Sequence, residues 1–243
     1  MKVEVLFSPN EVGTEYEFRG KTAVVVDVLR ASSSIITAIH HGARQVIPVA
    51  TVQDAMRLAK DMFRDNSILC GERGGKLIDG FDIDNSPANY RAEMVKGQSL
   101  FYTSTNGAGA ILKAKYAKEV FIGGFINVSA VAERVNGTEE VVILCAGESG
   151  RFSMEDALCA GMIVSLVVEK HSGAELSDGA VAAKLLYERC QNGMMAAVRS
   201  TMHAADLERE GFQADVNFCA TADVYADVPF FDGNIIRAEK NKV

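Results

Sequence analysis

The sequence predicts a three-layer α/β/α fold with a largely parallel or mixed sheet at its centre. Apolar segments of strand length alternate along the chain with segments of helical periodicity, which is typical of this fold class. No Pro/Ser-rich linker or low-complexity tract interrupts the alternation, and the chain of 243 residues contains only 4 prolines. We therefore expect residues 1–243 to form a single compact domain.

Seven segments are predicted to be strands because they are apolar runs of strand length. They are VEVLF (3–7), TAVVVDV (22–28), QVIPVA (45–50), SILC (67–70), LFYT (100–103), VFIGG (120–124) and VVILCA (141–146).

Helices are predicted between these strands. Residues 33–41 and 52–62 carry apolar residues at spacings of three and four. The segment SPANYRAEMV begins with Ser86 as a cap and places Pro87 at the first helical position. Several further helices are expected between residues 155 and 208.

Two segments of the chain resemble each other. Residues 42–59 and residues 116–133 both contain a strand, a polar turn and a short helix in that order. A duplication would explain this likeness and would give two similar lobes. The alternative is that any two strand-helix units look alike, and the sequence leaves both interpretations open.

Composition excludes several classes of protein. The net charge of −7 argues against a general surface for nucleic acid or anionic membranes. Apolar segments such as residues 160–168 are too short to span a bilayer, and the chain starts with a polar-flanked strand, not a signal sequence. We therefore expect a cytoplasmic protein that contacts neither membrane nor nucleic acid.

Cysteine usage points to reduced, buried thiols. The chain has 5 cysteines, an odd number, and no CxxC pair. Such a pattern fits small core residues better than a disulfide framework or a zinc site. The five residues are Cys70, Cys145, Cys159, Cys190 and Cys219.

The first candidate site follows the predicted strand at residues 22–28. Ligands of α/β sheets collect outside the carboxyl ends of the strands, where loops lead into helix N-termini. Asp27 lies near such an end, and the segment 30–34, with Arg30, Ser32 and Ser33, opens the next helix. Arginine and hydroxyl donors there are suited to an anion. The alternative is structural: a serine caps the helix and Arg30 pairs with Asp27.

A second polar turn follows the predicted strand at residues 100–103. It has the sequence TSTNGAGAI and contains Thr103, Thr105, Asn106 and Gly107. A glycine at this position lets the backbone approach a ligand closely. The turn matches neither a P-loop nor a dinucleotide fingerprint, so a simple capped turn is the alternative interpretation.

A glycine-rich acidic segment lies between these two turns. It has the sequence CGERGGKLIDGFDIDNSP (70–87) and contains Glu72, Arg73, Asp79, Asp82 and Asp84. Carboxylates are the hard oxygen ligands that Mg²⁺ prefers, and an arginine is suited to an oxyanion. A solvated acidic loop is the alternative.

The fourth turn lies in VVILCAGESGRFSMEDALCAGMIV. Ser153 and Asp156 are spaced as a capping box, which gives Asp156 a structural role. Glu155 has no such role and marks the edge of a metal or phosphate site, unless it only complements the helix dipole.

The ordered set DVLRASSS, CGERGG, GFDIDNSP, TSTNGAGA and CAGESGRFSMEDALCAG resembles the 2-phosphosulfolactate phosphatase family. The resemblance extends to HAADLEREGFQADVNFCATADVYADVP and so covers nearly the whole chain. Members of this family are Mg²⁺-dependent acid phosphatases associated with coenzyme M biosynthesis. The resemblance implies hydrolysis of a phosphate monoester of a small anionic hydroxy acid, which gives sulfolactate and phosphate from 2-phosphosulfolactate.

The resemblance also suggests roles for residues in the four turns. Asp27 is the first choice as catalytic carboxylate, either as nucleophile or as a metal ligand. His203 is either an acid for the leaving oxygen or a surface or capping histidine. The predicted Mg²⁺ ligands are Asp27, Glu72, Asp82 and Glu155. The predicted substrate-binding residues are Arg30, Ser32, Ser33, Arg73, Thr103, Thr105, Asn106, Gly107 and Ser153.

A binding module for a phosphorylated metabolite is the competing function. Such a module would use the same oxyanion turns without needing a well-placed Asp27 or a divalent ion. In either case we expect the four turns to converge on one cleft. The frequency of symmetric assemblies among soluble proteins favours a homodimer.

Overall fold

The computed structural model describes residues 1–62 and 66–238, and it shows the expected α/β fold. All seven predicted strands are present, together with four short strands of two residues each. The strands are β1 (Lys2–Leu6), β2 (Thr22–Val26), β3 (Gln45–Pro48), β4 (Ser67–Arg73), β5 (Lys76–Leu77), β6 (Ser99–Thr103), β7 (Glu119–Gly123), β8 (Glu140–Cys145), β9 (Glu175–Leu176), β10 (Phe230–Phe231) and β11 (Ile236–Arg237).

The strands form one mixed sheet that contains two parallel blocks. The strand order is β5-β4-β6-β3-β11-β10-β7-β2-β8-β1-β9. Strands β4, β6 and β3 are parallel, and so are β7, β2, β8, β1 and β9. The short hairpin β10–β11 joins the blocks through antiparallel pairing with β7 and β3. Three successive antiparallel pairings reverse the strand direction, so the two blocks run in opposite directions.

Helices follow most of the strands. They are α1 (Ala31–His40), α2 (Val52–Met62), α3 (Ala92–Val95), α4 (Gly107–Lys113), α5 (Val128–Arg134), α6 (Met154–Lys170), α7 (Asp178–Cys190), α8 (Met194–Arg199), α9 (Met202–Arg209) and α10 (Gln213–Cys219). The segment predicted as one helix from Ser86 instead forms a 3-10 turn at Pro87–Asn89 and then α3, because Arg91 is extended. No helix in the described residues is long and apolar enough to cross a membrane.

The helices cover both faces of the sheet, as the prediction of three layers requires. Val25 of β2 packs in one core with Ile35 of α1 and Ile111 of α4. Its neighbour Val24 points to the opposite face and packs in a second core with Ile163 of α6. Strands buried on both faces explain the continuous apolar runs in the sequence. The five cysteines are unpaired, and only Cys190 is not fully buried.

The chain passes twice through the same order of elements. The first unit is β2-α1-β3-α2-β4, and the second is β6-α4-β7-α5-β8. The first strand of each unit lies among the later strands of the other unit. Strand β6 of the second unit lies between β4 and β3 of the first, and β2 of the first unit lies between β7 and β8 of the second. The similar segments 42–59 and 116–133 contain β3-α2 and β7-α5. Whether a duplication produced them remains a hypothesis.

The exchange of first strands brings the starts of α1 and α4 together. A Cβ atom placed on Gly107 would lie only 2.4 Å from Ala31 Cβ. The turn after β2 therefore meets the turn after β6, although the two parallel blocks point in opposite directions. Residues on both sides of this meeting point, Asp27 and Asn106 among them, line the candidate site.

Candidate functional site

A cavity of about 420 Å³ lies where the polar turns of the two units meet. The turn after β2 contributes Asp27 and Arg30, and the end of β4 contributes Glu72. Thr105 and Asn106 come from the turn after β6. Glu148 lines the cavity from the turn after β8, and His203 lines it from α9, to which Arg209 also belongs. Each of the four predicted turns thus supplies part of this cavity.

Asp27 and Glu72 are deeply buried carboxylates of the cavity wall, each with 7% of its surface exposed. Asp27 Oδ1 accepts a hydrogen bond from Ala31 N (3.2 Å), and the Asp27 backbone N donates to Ser32 Oγ (2.9 Å). Oδ2 of Asp27 has no hydrogen-bond partner among the described residues. Burial raises the pKa of Asp27 to about 7, although the charge of His203 acts in the opposite direction. Oδ2 is therefore free to contact a ligand or metal.

Arg30 is held by two residues of the C-terminal part of the chain and by the Gly75 carbonyl. Its Nη1 donates to Asp215 Oδ2 (2.8 Å) and its Nη2 donates to the Gly75 carbonyl (2.9 Å). The guanidinium lies over the Phe212 ring at 4.2 Å from the ring centroid. The structural alternative in which Arg30 pairs with Asp27 is therefore wrong, because its ion-pair partner is Asp215.

The predicted serines, Ser32 and Ser33, lie in the first turn of α1, directly after the turn that follows β2. Ser32 Oγ accepts from Asp27 N, and Ser33 Oγ donates to the Val28 carbonyl (3.0 Å). Both side chains are buried and neither lines the cavity. Their hydroxyls stabilise the turn that presents Asp27, and direct contact with substrate has no support from their position.

Glu72 connects two turns of the cavity wall. Its Oε1 accepts from Thr105 N (2.6 Å), and its Oε2 accepts from Thr105 Oγ1 (3.0 Å) and Gly75 N (2.8 Å). Three donors therefore already occupy this buried carboxylate. Arg73, next to it, donates to Thr103 Oγ1 (2.8 Å) and lies outside the cavity wall.

His203 lies between two carboxylates. Its Nδ1 is 3.1 Å from Glu155 Oε1 and 3.5 Å from Glu148 Oε2. Burial alone would lower its pKa, but the hydrogen bond and charge of Glu155, with the charge of Glu148, raise the pKa to about 9. Asn106 Nδ2 donates to Glu148 Oε2 (2.9 Å) and fixes that side chain. His203 is thus part of the cavity wall, and Glu155 is engaged behind it.

The capping box predicted at the start of α6 is only half present. Ser153 Oγ accepts from Asp156 N (3.3 Å) and caps the helix. The Asp156 carboxylate does not bond back to the cap but accepts from Val28 N (2.8 Å) and Gly147 N (3.1 Å). Burial, and then the charge of Asp27, raises the pKa of Asp156. Asp156 therefore ties the turn after β8 to the turn after β2.

Asp82 lies apart from the other predicted metal ligands. Its Oδ2 accepts from Leu69 N (2.9 Å), and its side chain is exposed beside Met56 and Lys60 of α2. The structure therefore does not bring Asp82 to the cavity. The reason is that the segment after β5 turns back along β4, as the bridge from Cys70 to Ile83 shows.

The donor set of the cavity is suited to a hard cation. Carboxylate and amide oxygens line it, and no cysteine does. Within the described residues, no three His, Cys, Asp or Glu side chains are grouped closely enough to form a complete metal site. Mg²⁺ usually keeps several waters and binds through one or two carboxylates plus substrate phosphate. The free Oδ2 of Asp27 fits such a partial protein site.

Several residues of the site escaped the sequence analysis. Glu148 had a usable signal, because it follows β8 at a strand end like Asp27. Asn85 lines the cavity from a loop, and Asp215 contacts Arg30 across 185 positions of sequence. No local pattern identifies contacts of that kind.

Comparison with known proteins gives consistent matches. The family model described as 2-phosphosulpholactate phosphatase matches residues 6–234. A Clostridium beijerinckii protein named probable 2-phosphosulfolactate phosphatase is 38% identical over 97% of this chain and 99% of its own length. Proteins of the same name from Caldanaerobacter subterraneus (38% identity, 93% of both chains) and Thermotoga maritima (40% identity, 86% of this chain and 88% of the relative) are also similar.

Proposed function

Because this chain belongs to the 2-phosphosulfolactate phosphatase family, a family of phosphoric monoester hydrolases, we propose that it hydrolyses 2-phosphosulfolactate to sulfolactate and phosphate with the help of Mg²⁺. The relatives' names support this substrate. The observation that carries the proposal is the Asp27 carboxylate at the wall of the cavity, with Oδ2 free of any described partner.

Asp27 is the residue that acts on the phosphoryl group. The turn after β2 orients it, since Ala31 N binds Oδ1 and leaves Oδ2 for the substrate side. It acts either as a nucleophile that forms an aspartyl phosphate or as the carboxylate that holds the metal. These roles differ in whether phosphate is ever attached to Asp27.

Asp27 is also the best-placed protein ligand for Mg²⁺. Glu72 is occupied by three donors and Glu155 by His203, so each would have to give up contacts to bind a metal. The ion would neutralise charge on the transferred phosphoryl group. Net acidity around the cavity, with Asp27, Glu72 and Glu148 in its wall, supports the need for a cation when an anionic substrate binds.

His203 is the proposed proton donor for the leaving oxygen. Glu155 holds Nδ1 from behind, and Nε2 has no hydrogen-bond partner among the described residues. A histidine anchored through one ring nitrogen presents the other in a fixed orientation. Its place in the cavity wall supports this role over that of a surface histidine.

Phosphate release from 2-phosphosulfolactate tests the proposal. The protein is stripped with a chelator and assayed alone, with Mg²⁺ and with Ca²⁺, against a panel of other phosphate monoesters. We expect release only after Mg²⁺ is restored, and faster release from 2-phosphosulfolactate than from uncharged esters. Full activity in the metal-free protein would refute the Mg²⁺ requirement, and no release from 2-phosphosulfolactate would refute the substrate.

A further inference from the structure

The Arg30 side chain is buried beside the cavity but retains hydrogen-bonding capacity that the protein does not use. Only 2% of its surface is exposed, although it lines the cavity. Asp215 and the Gly75 carbonyl each accept one of its hydrogen bonds. A guanidinium has five N–H donors, so its remaining donors have no partner within residues 1–62 and 66–238. A buried group in this state is suited to an anionic ligand.

Asp215, Phe212 and the Gly75 carbonyl hold this guanidinium in place. Asp215 Oδ2 pairs with Nη1, and Asp215 Oδ1 in turn accepts from Ser86 Oγ (2.8 Å). Phe212 lies against the guanidinium plane, with its ring centroid 4.2 Å from Arg30 Cζ. A guanidinium fixed in this way is a preorganised planar donor for an oxyanion. Asp215 fixes the orientation of the Arg30 guanidinium but does not itself line the cavity.

Arg30 and Asp27 both line the cavity but are not paired with each other. Arg30 forms its ion pair with Asp215 and none with Asp27, although the two residues belong to the same turn. In the proposed reaction the phosphoryl group approaches Asp27, and the unused donors of Arg30 are then available to another oxyanion of the substrate. A cavity of about 420 Å³ is larger than a phosphate group alone requires.

We propose that Asp215 is a positioning residue, which holds the Arg30 guanidinium to bind an oxyanion on the carbon skeleton of the substrate. This oxyanion is the carboxylate or sulfonate that is not transferred. The inference rests on the proposed function and makes a second anionic group a requirement for tight binding.

Binding of sulfolactate tests the inference without any turnover. Sulfolactate has the carboxylate and the sulfonate but no phosphate, and its Kd can be measured by calorimetry. We expect Asp215→Asn and Arg30→Lys each to raise this Kd at least about tenfold. The first substitution removes the charged partner that orients the guanidinium, and the second replaces the planar guanidinium with an ammonium group. The matched control is Asp54→Asn, which breaks the exposed Arg57–Asp54 pair and leaves the Kd unchanged. Glycolate and 2-hydroxyethanesulfonate then show which oxyanion Arg30 binds.

Kinetics separate positioning from a general structural role. For 2-phosphosulfolactate we expect Asp215→Asn to raise KM at least about tenfold with kcat within about threefold of the wild type. For phenyl phosphate, which lacks a second anion, both constants should stay within about threefold. Equal losses on both substrates, or an unchanged sulfolactate Kd in both variants, would overturn the inference.

Folding and the proposed function are controlled separately. Asp215→Asn leaves a buried cation unpaired and is checked by thermal melting. Arg30→Lys keeps the charge beside Asp215 and carries the test if the first variant does not fold. A wild-type protein that binds sulfolactate but releases no phosphate from 2-phosphosulfolactate refutes the proposed function and leaves the inference standing. A wild-type protein that does not bind sulfolactate refutes the inference.

Discussion

Gly107 lies directly against the carboxylate of Asp27. A Cβ atom at position 107 would be 2.5 Å from Asp27 Oδ2 and 2.4 Å from Ala31 Cβ. Such distances are far below van der Waals contact, so any side chain at this position must displace the carboxylate or the start of α1. The glycine of the second unit therefore makes room for the candidate reactive group of the first.

Gly107→Ala should lower kcat by at least about tenfold, because it displaces Asp27 from its position at the cavity wall. The control is Gly109→Ala, two positions further along α4, where a Cβ would meet nothing within 4 Å. We expect the control to keep its activity and to gain about 0.5–1 kcal/mol in the free energy of unfolding, since alanine favours a helix over glycine. Equal activity of the two variants would contradict the interpretation that a side chain at position 107 displaces the Asp27 carboxylate.

The sequence correctly predicted the seven longer strands and several polar residues at strand ends that line the cavity. Local periodicity identified β2 and β8, and the strand-end rule identified Asp27, Thr105 and Asn106, because each signal depends on residues close together in the chain. The hairpin β10–β11 escaped detection, since its strands have two residues each and pair with β7 and β3 from far along the chain. The opposite directions of the two blocks follow from this hairpin and were therefore also missed.

The roles within the site were harder to predict than its location. A serine hydroxyl after a strand can face a ligand or its own backbone, and Ser33 faces the Val28 carbonyl. A carboxylate in a glycine-rich loop can bind a metal or backbone amides, and Glu72 binds amides. These choices depend on three-dimensional neighbours such as Gly75, whose position the sequence does not encode locally.

Asp27→Asn should reduce turnover at least about a hundredfold while the fold stays intact. The substitution preserves the size of the side chain and removes the charge that both proposed roles require. Circular dichroism and thermal melting report on the fold, and phosphate release reports on turnover. Near-normal turnover combined with a markedly lower Tm would show that the Asp27 carboxylate is structural.

Trapping should reveal which role Asp27 has. If it is a nucleophile, quenching the wild-type enzyme during turnover gives a hydroxylamine-sensitive phosphoryl group on Asp27, detectable by mass spectrometry. If it only holds the metal, no label appears at any time during turnover. A label on a different residue would exclude Asp27 as the nucleophile.

Glu72→Gln should destabilise the protein by about 1–3 kcal/mol, because an amide cannot accept all the hydrogen bonds that the carboxylate receives from Thr105 and Gly75. The measurement is urea unfolding of the metal-free protein, with Glu93→Gln on the exposed face of α3 as control. A metal-ligand role for Glu72 predicts a different result: unchanged stability without metal and a higher Mg²⁺ concentration for half-maximal activity.

Glu155→Gln should destabilise the metal-free protein in a pH-dependent way. In the folded state the pKa of His203 is raised from 6.5 to about 9, because the hydrogen bond and charge of Glu155 outweigh the effect of burial. The stabilisation that the charged His203 gives the folded state is therefore fully present below the pKa of His203 in the unfolded chain, and it is lost as pH rises through about 9. We expect the Tm difference between wild type and Glu155→Gln to be largest at about pH 6 and to shrink by about pH 10.

The exposed His40–Asp227 pair supplies the control, since Asp227→Asn should change Tm only slightly at either pH. A Tm difference for Glu155→Gln that stays constant from about pH 6 to pH 10 would mean that Glu155 stabilises the fold without holding a charged His203.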